Sequence, residues 1–281
     1  MTDEEKRARI KELDKDINKL REARNKYQEE LASKKRNYSS WGREMVRLEE
    51  KYKIYDDDCF LVMQKLIDQG IKVDAIICDP PYIIKYADWD KEFNMPLAID
   101  MSYQLLKENG NLILFQGWSN VSKTISLLDE RFQIQNWIAW DRIKGRGAKK
   151  NFVSTREDIL WYCKGDSPTY NKIYSNTPKK TGGLGKKNGQ ENRALTNVWY
   201  DISPIVPWSS ERNGHPTQKP LQLMERCVTI WTNEGDTILD FTMGSGTTGV
   251  ASLKLGRKFI GIEQDKRWFN IAESRLSEVV K

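Results

Sequence analysis

Asp79-Pro80-Pro81-Tyr82 follows directly on the apolar run Val-Asp-Ala-Ile-Ile-Cys at residues 73–78. These residue types suit one particular chemistry. An amino group on an aromatic heterocycle has its lone pair delocalised into the ring and is a poor nucleophile. Two acceptors aimed at its two N–H bonds draw the nitrogen toward tetrahedral geometry and free that pair. The Asp79 carboxylate can be one acceptor. The Pro80 carbonyl can be the other, aimed by a turn that Pro80 and Pro81 stiffen. Tyr82 offers a flat face on which a planar ring can stack. Taken alone, the tetrapeptide also suits a plain strand-to-turn junction with a capping Asp.

A second constellation lies at residues 239–249, Leu-Asp-Phe-Thr-Met-Gly-Ser-Gly-Thr-Thr-Gly. Gly244, Gly246 and Gly249 form a GxGxxG pattern between an expected strand and an expected helix. Glycines there let the backbone approach a cofactor at a helix N-terminus. Seventeen residues past Gly246, Glu263 ends the apolar run KFIGIE, where an acid can bind a ribose hydroxyl pair. The pattern by itself suits a dinucleotide equally well. Its position does not, because only about forty residues follow and no second mononucleotide half fits there. Strands earlier in the chain must complete the sheet.

The elements that would position these residues are legible from periodicity. Short apolar runs at 53–55, 73–78, 111–115, 135–140, 158–163, 237–240 and 258–262 read as strands. Helical patterns at 60–69, 97–107, 121–129, 220–231, 247–255 and 271–279 alternate with them, which implies an α/β, doubly wound, mostly parallel sheet. Residues 52–281 form this domain. Residues 165–213 lose all period and read as a loop-rich insert, which at that length is functional or disordered. Residues 1–51 are nearly free of Gly and Pro. Ile10, Leu13, Ile17, Leu20, Arg24, Tyr27 and Leu31 fall at three- and four-residue spacing, with Arg24 the one charged position, an amphipathic or coiled-coil-like arm with a break near residues 37–42 and a second short helix around Trp41, Met45 and Leu48. Such an arm packs on a second copy, giving a homodimer, or on its own domain.

Composition narrows the class further. The 281 residues carry a net charge of +6, and residues 141–193 alone hold 13 basic against 5 acidic side chains. A localised basic stretch is the footprint of a nucleic-acid contact, although charge alone suits a solvated loop equally. Cys59, Cys78, Cys163 and Cys227 have no CxxC spacing, and there is one histidine, His215. That pattern predicts no metal site, no disulfide framework and a reducing, cytoplasmic setting. There is no run of eighteen apolar residues, so no membrane span is expected.

Four landmarks in order resemble the β-group amino-methyltransferases of DNA, a family of adenine-N6 and cytosine-N4 enzymes with permuted motif order. Tyr55-Asp56-Asp57-Asp58-Cys59 is similar to its opening "GDC" element, with Asp57 where Gly is usual. Asp79–Tyr82 matches its catalytic DPPY. His215-Pro-Thr-Gln-Lys-Pro220 matches its HPTQKP element. Residues 239–249 match its cofactor loop, with Thr242-Met243 where a small residue is frequent. The resemblance covers residues 53–281 and leaves the arm outside. It implies a seven-stranded Rossmann-like methyltransferase sheet and S-adenosyl-L-methionine as cofactor. It also implies cofactor contacts from Asp58, Cys59, Asp79, Lys219, Asp240, Phe241, Gly244, Ser245, Gly246, Thr247 and Glu263, with catalysis by Asp79, Pro80, Pro81 and Tyr82. No Pro-Cys pair is present to serve a ring-carbon mechanism, so direct transfer to nitrogen is expected. Asp rather than Ser at the head of the tetrapeptide favours adenine over cytosine within the family. Methylation of RNA or single strands, or an inactive DNA-binding partner subunit, stays open.

A base inside a duplex is out of reach, so DNA, most simply double-stranded, would surrender the target by flipping. The loop at 83–93, with Tyr86 and Trp89, could close over it. Arg142, Lys144, Arg146, Lys149 and Lys150 form a phosphate-contacting stretch. Lys179, Lys180, Lys186 and Lys187 of the insert, which stands where the family keeps its target-recognition region, are further DNA-binding candidates.

Overall fold

Strand β2 (Val73–Cys78) is buried at every position except the partly covered Asp74, as a near-continuous apolar run demands of a central parallel strand. It belongs to a computed structural model that describes residues 2–37, 50–82, 93–146, 152–178 and 192–281. Around β2 stand β1 (Tyr52–Asp56), β3 (Leu106–Gln116), β4 (Gln133–Arg146), β5 (Ser154–Cys163), β8 (Val198–Trp199), β9 (Thr237–Asp240) and β10 (Lys258–Glu263). Their order across the sheet is β1-β10-β9-β2-β3-β5-β4-β8. Only β5 runs against the others.

Helices cover both faces. On one side α2 (Cys59–Asp68), α3 (Met95–Leu105) and α4 (Val121–Leu128) bury Met63, Leu66, Ile99 and Leu128 against Ile76 and Leu114. On the other, α5 (Leu221–Trp231), α6 (Thr247–Lys254) and α7 (Lys266–Val280) bury Met224, Ala251 and Leu276 against Ile77, Ile113 and Ile238. The doubly wound, mostly parallel reading is therefore correct. The mutually parallel β1, β10, β9 and β2 are contiguous, so the residues after each of them meet along one edge of the sheet.

Three details differ from expectation. The sheet has eight strands rather than seven, because Val198–Trp199 in the insert pairs with β4. Two residues have no readable period. They hold because Trp199 is buried against Trp231, with ring centroids 6.1 Å apart, and its indole N–H donates to the Thr196 carbonyl. The insert also contains a two-stranded antiparallel ribbon of β6 (Tyr174–Pro178) and β7 (Asn192–Ala194). The helix expected at 97–107 stops at Leu105, since Leu106 is already extended and pairs with Val73.

The arm begins as one helix, α1 (Asp3–Asn37), which lies against α3, and its Arg21 forms an ion pair of 2.7 Å with Glu130, just after α4. The second short helix expected around Trp41, Met45 and Leu48 lies outside the described residues, as do Tyr86 and Trp89. Among the described residues no helix is long and apolar enough to cross a membrane.

Candidate active site

A cavity of about 690 Å³ opens where the carboxyl ends of β1, β10, β9 and β2 meet, the place an open parallel sheet offers to a ligand. From β1 come Asp57, Asp58 and Cys59, from β2 Asp79 and Pro81, from β9 Asp240 to Ser245, and from β10 Glu263. Thr247, His215 and Lys219 also line it, and so does Lys26 of α1. Phe241 stacks at 6.3 Å on Phe93, which in turn meets Phe60, so one wall is aromatic.

Several side chains in this wall are already occupied. Asp58 caps α2, its carboxylate accepting from Phe60 N and Leu61 N at 2.9 and 3.1 Å. Asp240 is buried and accepts from Thr248 Oγ1 at 2.7 Å and Thr242 N at 3.2 Å, and burial pushes its pKa up to about 7. Its carboxylate therefore holds the loop together from within. Glu263 accepts from Gly244 N at 3.0 Å and Asp265 N at 2.8 Å, and burial raises it above the usual carboxylate range. The thiol of Cys59 is pushed up by burial, so it stays neutral.

The glycines of the loop divide their work. Gly244 (φ 52°) lines the cavity, and a Cβ there would come within 3.0 Å of His215 Nε2. Gly246 (φ 77°) instead faces α7, where a Cβ would meet that of Ala272 at 2.9 Å. Gly249 faces Phe259 and Leu276. Gly246 was expected at the cofactor, but its α-carbon faces helix packing. Gly246→Ala is accordingly expected to lower unfolding free energy by about 1–3 kcal/mol, from the left-handed backbone and the crowded contact together. Denaturant unfolding checks this.

The Asp79–Tyr82 tetrapeptide sits in a buried charged cluster. Tyr82 Oη donates to Asp79 Oδ1 at 2.6 Å, and Lys219 Nζ donates to Asp79 Oδ2 at 2.5 Å. Lys219 also lies 3.2 Å from Glu157 Oε2, whose other oxygen accepts from Arg142 Nη1 at 3.0 Å. Burial outweighs Lys219 and keeps Asp79 above the ordinary carboxylate range, with Glu157 acting in the same direction. Burial opposes the charge on Lys219, yet the two carboxylates prevail and raise its pKa. Lys219 was expected beside the cofactor. It does reach the cavity, and its amine is bound to the Asp79 carboxylate. The Tyr82 ring lies over Gly117, where a Cβ would meet it at 3.1 Å.

Three residues that hold this cluster in place were not anticipated. Asn120 donates to the Tyr82 carbonyl at 2.6 Å. Thr242 donates from its hydroxyl to the Asp79 carbonyl at 3.3 Å and touches Cys78 Sγ at 3.0 Å, tying the tetrapeptide to the cofactor loop. Glu157 opens the apolar run of β5, where the sequence shows only two acids before a strand. Arg142 points inward at Glu157 and is 24% exposed, so it is engaged inside the cluster. Lys144 and Arg146 lie on β4, with side chains outside the described residues. Lys149, Lys150, Lys179, Lys180, Lys186 and Lys187 are outside them altogether.

The chain matches the DNA methylase family over residues 73–274. It belongs to that family. A curated relative, the type II methyltransferase M1.MboII of Moraxella bovis, is 31% identical over 81% of this chain and 97% of its own length. The crystal structure of M1.HpyAVI in complex with S-adenosylmethionine superposes with a TM-score of 0.59 at 34% identity, covering 80% of this chain and all of that one. The cytosine-N4-specific PvuII DNA methyltransferase shares the fold, with a TM-score of 0.59 at 15% identity. The fold therefore leaves the choice of base open.

The chain is a DNA methyltransferase that uses S-adenosylmethionine, and the cavity fits that cofactor. Its aromatic wall would suit a purine, the Glu263 carboxylate would suit a ribose, and the glycine-lined turn leading into α6 would suit the amino-acid end. Its volume falls within the range of small-molecule sites.

His215 adds a pH signature. Burial, reinforced by the charge of Lys219, pulls its pKa down to about 4 from 6.5. Its ring meets Trp268 edge-on at 4.6 Å. Below about pH 6.5 the unfolded chain takes a proton that the folded chain refuses until about pH 4. His215 thus contributes stability at neutral pH that is lost as pH falls through that window. Between pH 7 and pH 4 the His215→Asn variant is expected to lose less unfolding free energy than the wild type. The difference should be about 3 kcal/mol, read by urea unfolding at each pH.

Proposed function

We propose that this DNA methyltransferase places its methyl group on N6 of an adenine flipped out of double-stranded DNA, as the modification enzyme of a restriction–modification pair. The observation that carries this reading is Asp79, an ionisable acceptor at the head of DPPY. Asp at that position goes with adenine in the family resemblance, and Ser more often with cytosine. S-adenosylmethionine supplies, when bound, an electrophilic methyl on a sulfonium.

The chain's own residues do the rest. Asp79 and the Pro80 carbonyl accept the two N–H bonds of the amino group and make its lone pair available. Negative charge on Asp79 stabilises the positive charge that builds on the nitrogen. Tyr82 holds the flipped ring by its face while its hydroxyl fixes Asp79. Alignment of nitrogen with its methyl donor is the main catalytic contribution expected of such a site. Asp58, Cys59, Phe241, Gly244, Ser245, Thr247 and Glu263 surround the cofactor. The basic residues at 142–150 and 179–187 track phosphates and base edges. The arm belongs to its own domain rather than to a homodimer, a reading supported by the Arg21–Glu130 ion pair.

The test is methyl transfer from labelled S-adenosylmethionine to unmethylated duplex DNA, with nucleosides identified by mass spectrometry. N6-methyladenine is the expected product. N4-methylcytosine would overturn the base assignment. Tight cofactor binding without product on duplex, single strands or RNA would instead favour an inactive partner subunit.

A further inference from the structure

Among the described residues, Glu157 faces both side-chain donors that Asp79 uses. Asp79 accepts two side-chain hydrogen bonds, from Tyr82 Oη and Lys219 Nζ. Both donors have Glu157 Oε2 as a second acceptor, at 3.5 Å for Tyr82 and 3.2 Å for Lys219. The other oxygen of Glu157 is held by Arg142 at 3.0 Å. Lys219, Glu157 and Arg142 are 8%, 11% and 24% exposed at their side chains. Two acids and two bases thus lie together in a largely buried place.

This arrangement meets a difficulty inherent in the reaction. A carboxylate bound to an ammonium at 2.5 Å is a weak acceptor, because its charge is already neutralised. Asp79 can polarise an amino group fully only if Lys219 withdraws. A buried ammonium cannot withdraw into nothing, since an unpaired buried charge is costly. Glu157 Oε2 is an acceptor already within hydrogen-bond reach of the ammonium at 3.2 Å, and a shift of about half an ångström toward it lengthens and weakens the bond to Asp79.

We propose that Glu157 is a positioning residue that takes over Lys219 as the target amino group arrives, releasing Asp79 to accept from the base. Arg142 holds the other oxygen of Glu157 and keeps its carboxylate aimed at the cluster. Glu157 touches neither base nor cofactor in this scheme, and it acts through Lys219. Since Arg142 opens the basic stretch that follows it in β4, the seat for Lys219 is tied to the segment read as gripping DNA. The inference deepens the proposed amino-methylation and rests on it.

Glu157→Gln and Glu157→Asp separate this role from simple charge balance. Gln keeps the shape and the hydrogen-bond acceptor but offers no charge to an ammonium. Single-turnover methyl transfer to duplex DNA by Glu157→Gln is expected to fall about a hundredfold. Dissociation constants for S-adenosylmethionine and DNA, and KM for both, should stay within about twofold of the wild type. Asp restores the charge on a shorter stem, so Glu157→Asp should recover about a tenth of the wild-type rate or more. A Gln variant within about threefold of the wild-type rate would overturn the proposal. So would an Asp variant no faster than Gln, or a rate loss matched by loss of cofactor affinity. If Gln fails to fold, the Asp variant decides alone: a loss confined to kcat supports the hand-off, and a loss confined to KM overturns it. Failure of the wild type to methylate any nucleic acid would sink the parent reading and this one together. An active wild type with an indifferent Glu157 sinks only this one.

Discussion

Asp79→Ala is expected to lower methyl transfer by about a thousandfold or more while S-adenosylmethionine still binds. The Asp79 carboxylate is the only charged side-chain acceptor that DPPY can offer an amino group. Loss of one preorganised charge-stabilising contact typically costs a hundredfold to a thousandfold. Here the loss is larger, because the lost group both orients the nitrogen and opposes its developing charge. The variant should fold, since Tyr82 and Lys219, the two side chains bonded to Asp79, both keep Glu157 within reach. Single-turnover assays with labelled cofactor, beside equilibrium binding of the same cofactor, check the two halves of this expectation.

Lys219→Met should act on stability as much as on rate. It leaves Asp79 and Glu157 buried beside one another with Arg142 as their one remaining cation among the described residues. Removing one partner from a buried charged set typically costs about 3–5 kcal/mol. The sign of its pH dependence follows from the charges. Without Lys219 the carboxylates repel, so Asp79 holds a proton to higher pH than before. The folded variant then binds more protons than its unfolded chain, and its stability falls as pH rises. The deficit relative to the wild type should be full at pH 7.5 and shrink toward pH 5, as a carboxyl group becomes neutral. Urea unfolding at the two pH values measures it. A loss that does not change with pH would mean that packing, not charge, is what Lys219 supplies.

Much of this was legible in the sequence because the strands of the central sheet are short, apolar and bounded. Residues 237–240 and 73–78 are strands at the positions their patterns indicate, since a strand covered on both faces is built mainly of apolar residues, with Asp74, Thr237 and Asp240 as the exceptions here. The two site motifs were legible for a related reason. Each follows such a strand, and in a parallel sheet the strand ends converge.

What stayed hidden depends on contacts between distant segments. Glu157 is one acid in a strand from the antiparallel side of the sheet, and only the pairing of β5 beside β3 brings it to Asp79. Asn120 reads as part of an ordinary turn until its amide meets Tyr82. The β8 strand is too short for any period. The motifs drew attention to Asp58 and Gly246, but not to their work in capping α2 and in letting α6 approach α7.

The most direct test of the central claim is a structure of the protein with an unmethylated duplex and a non-reactive analogue of S-adenosylmethionine. The account predicts one adenine outside the stack, its N6 within about 3 Å of both Asp79 and the Pro80 carbonyl. A target base left in the duplex, or an amino group held by other residues while Asp79 stays clear of it, would contradict the account.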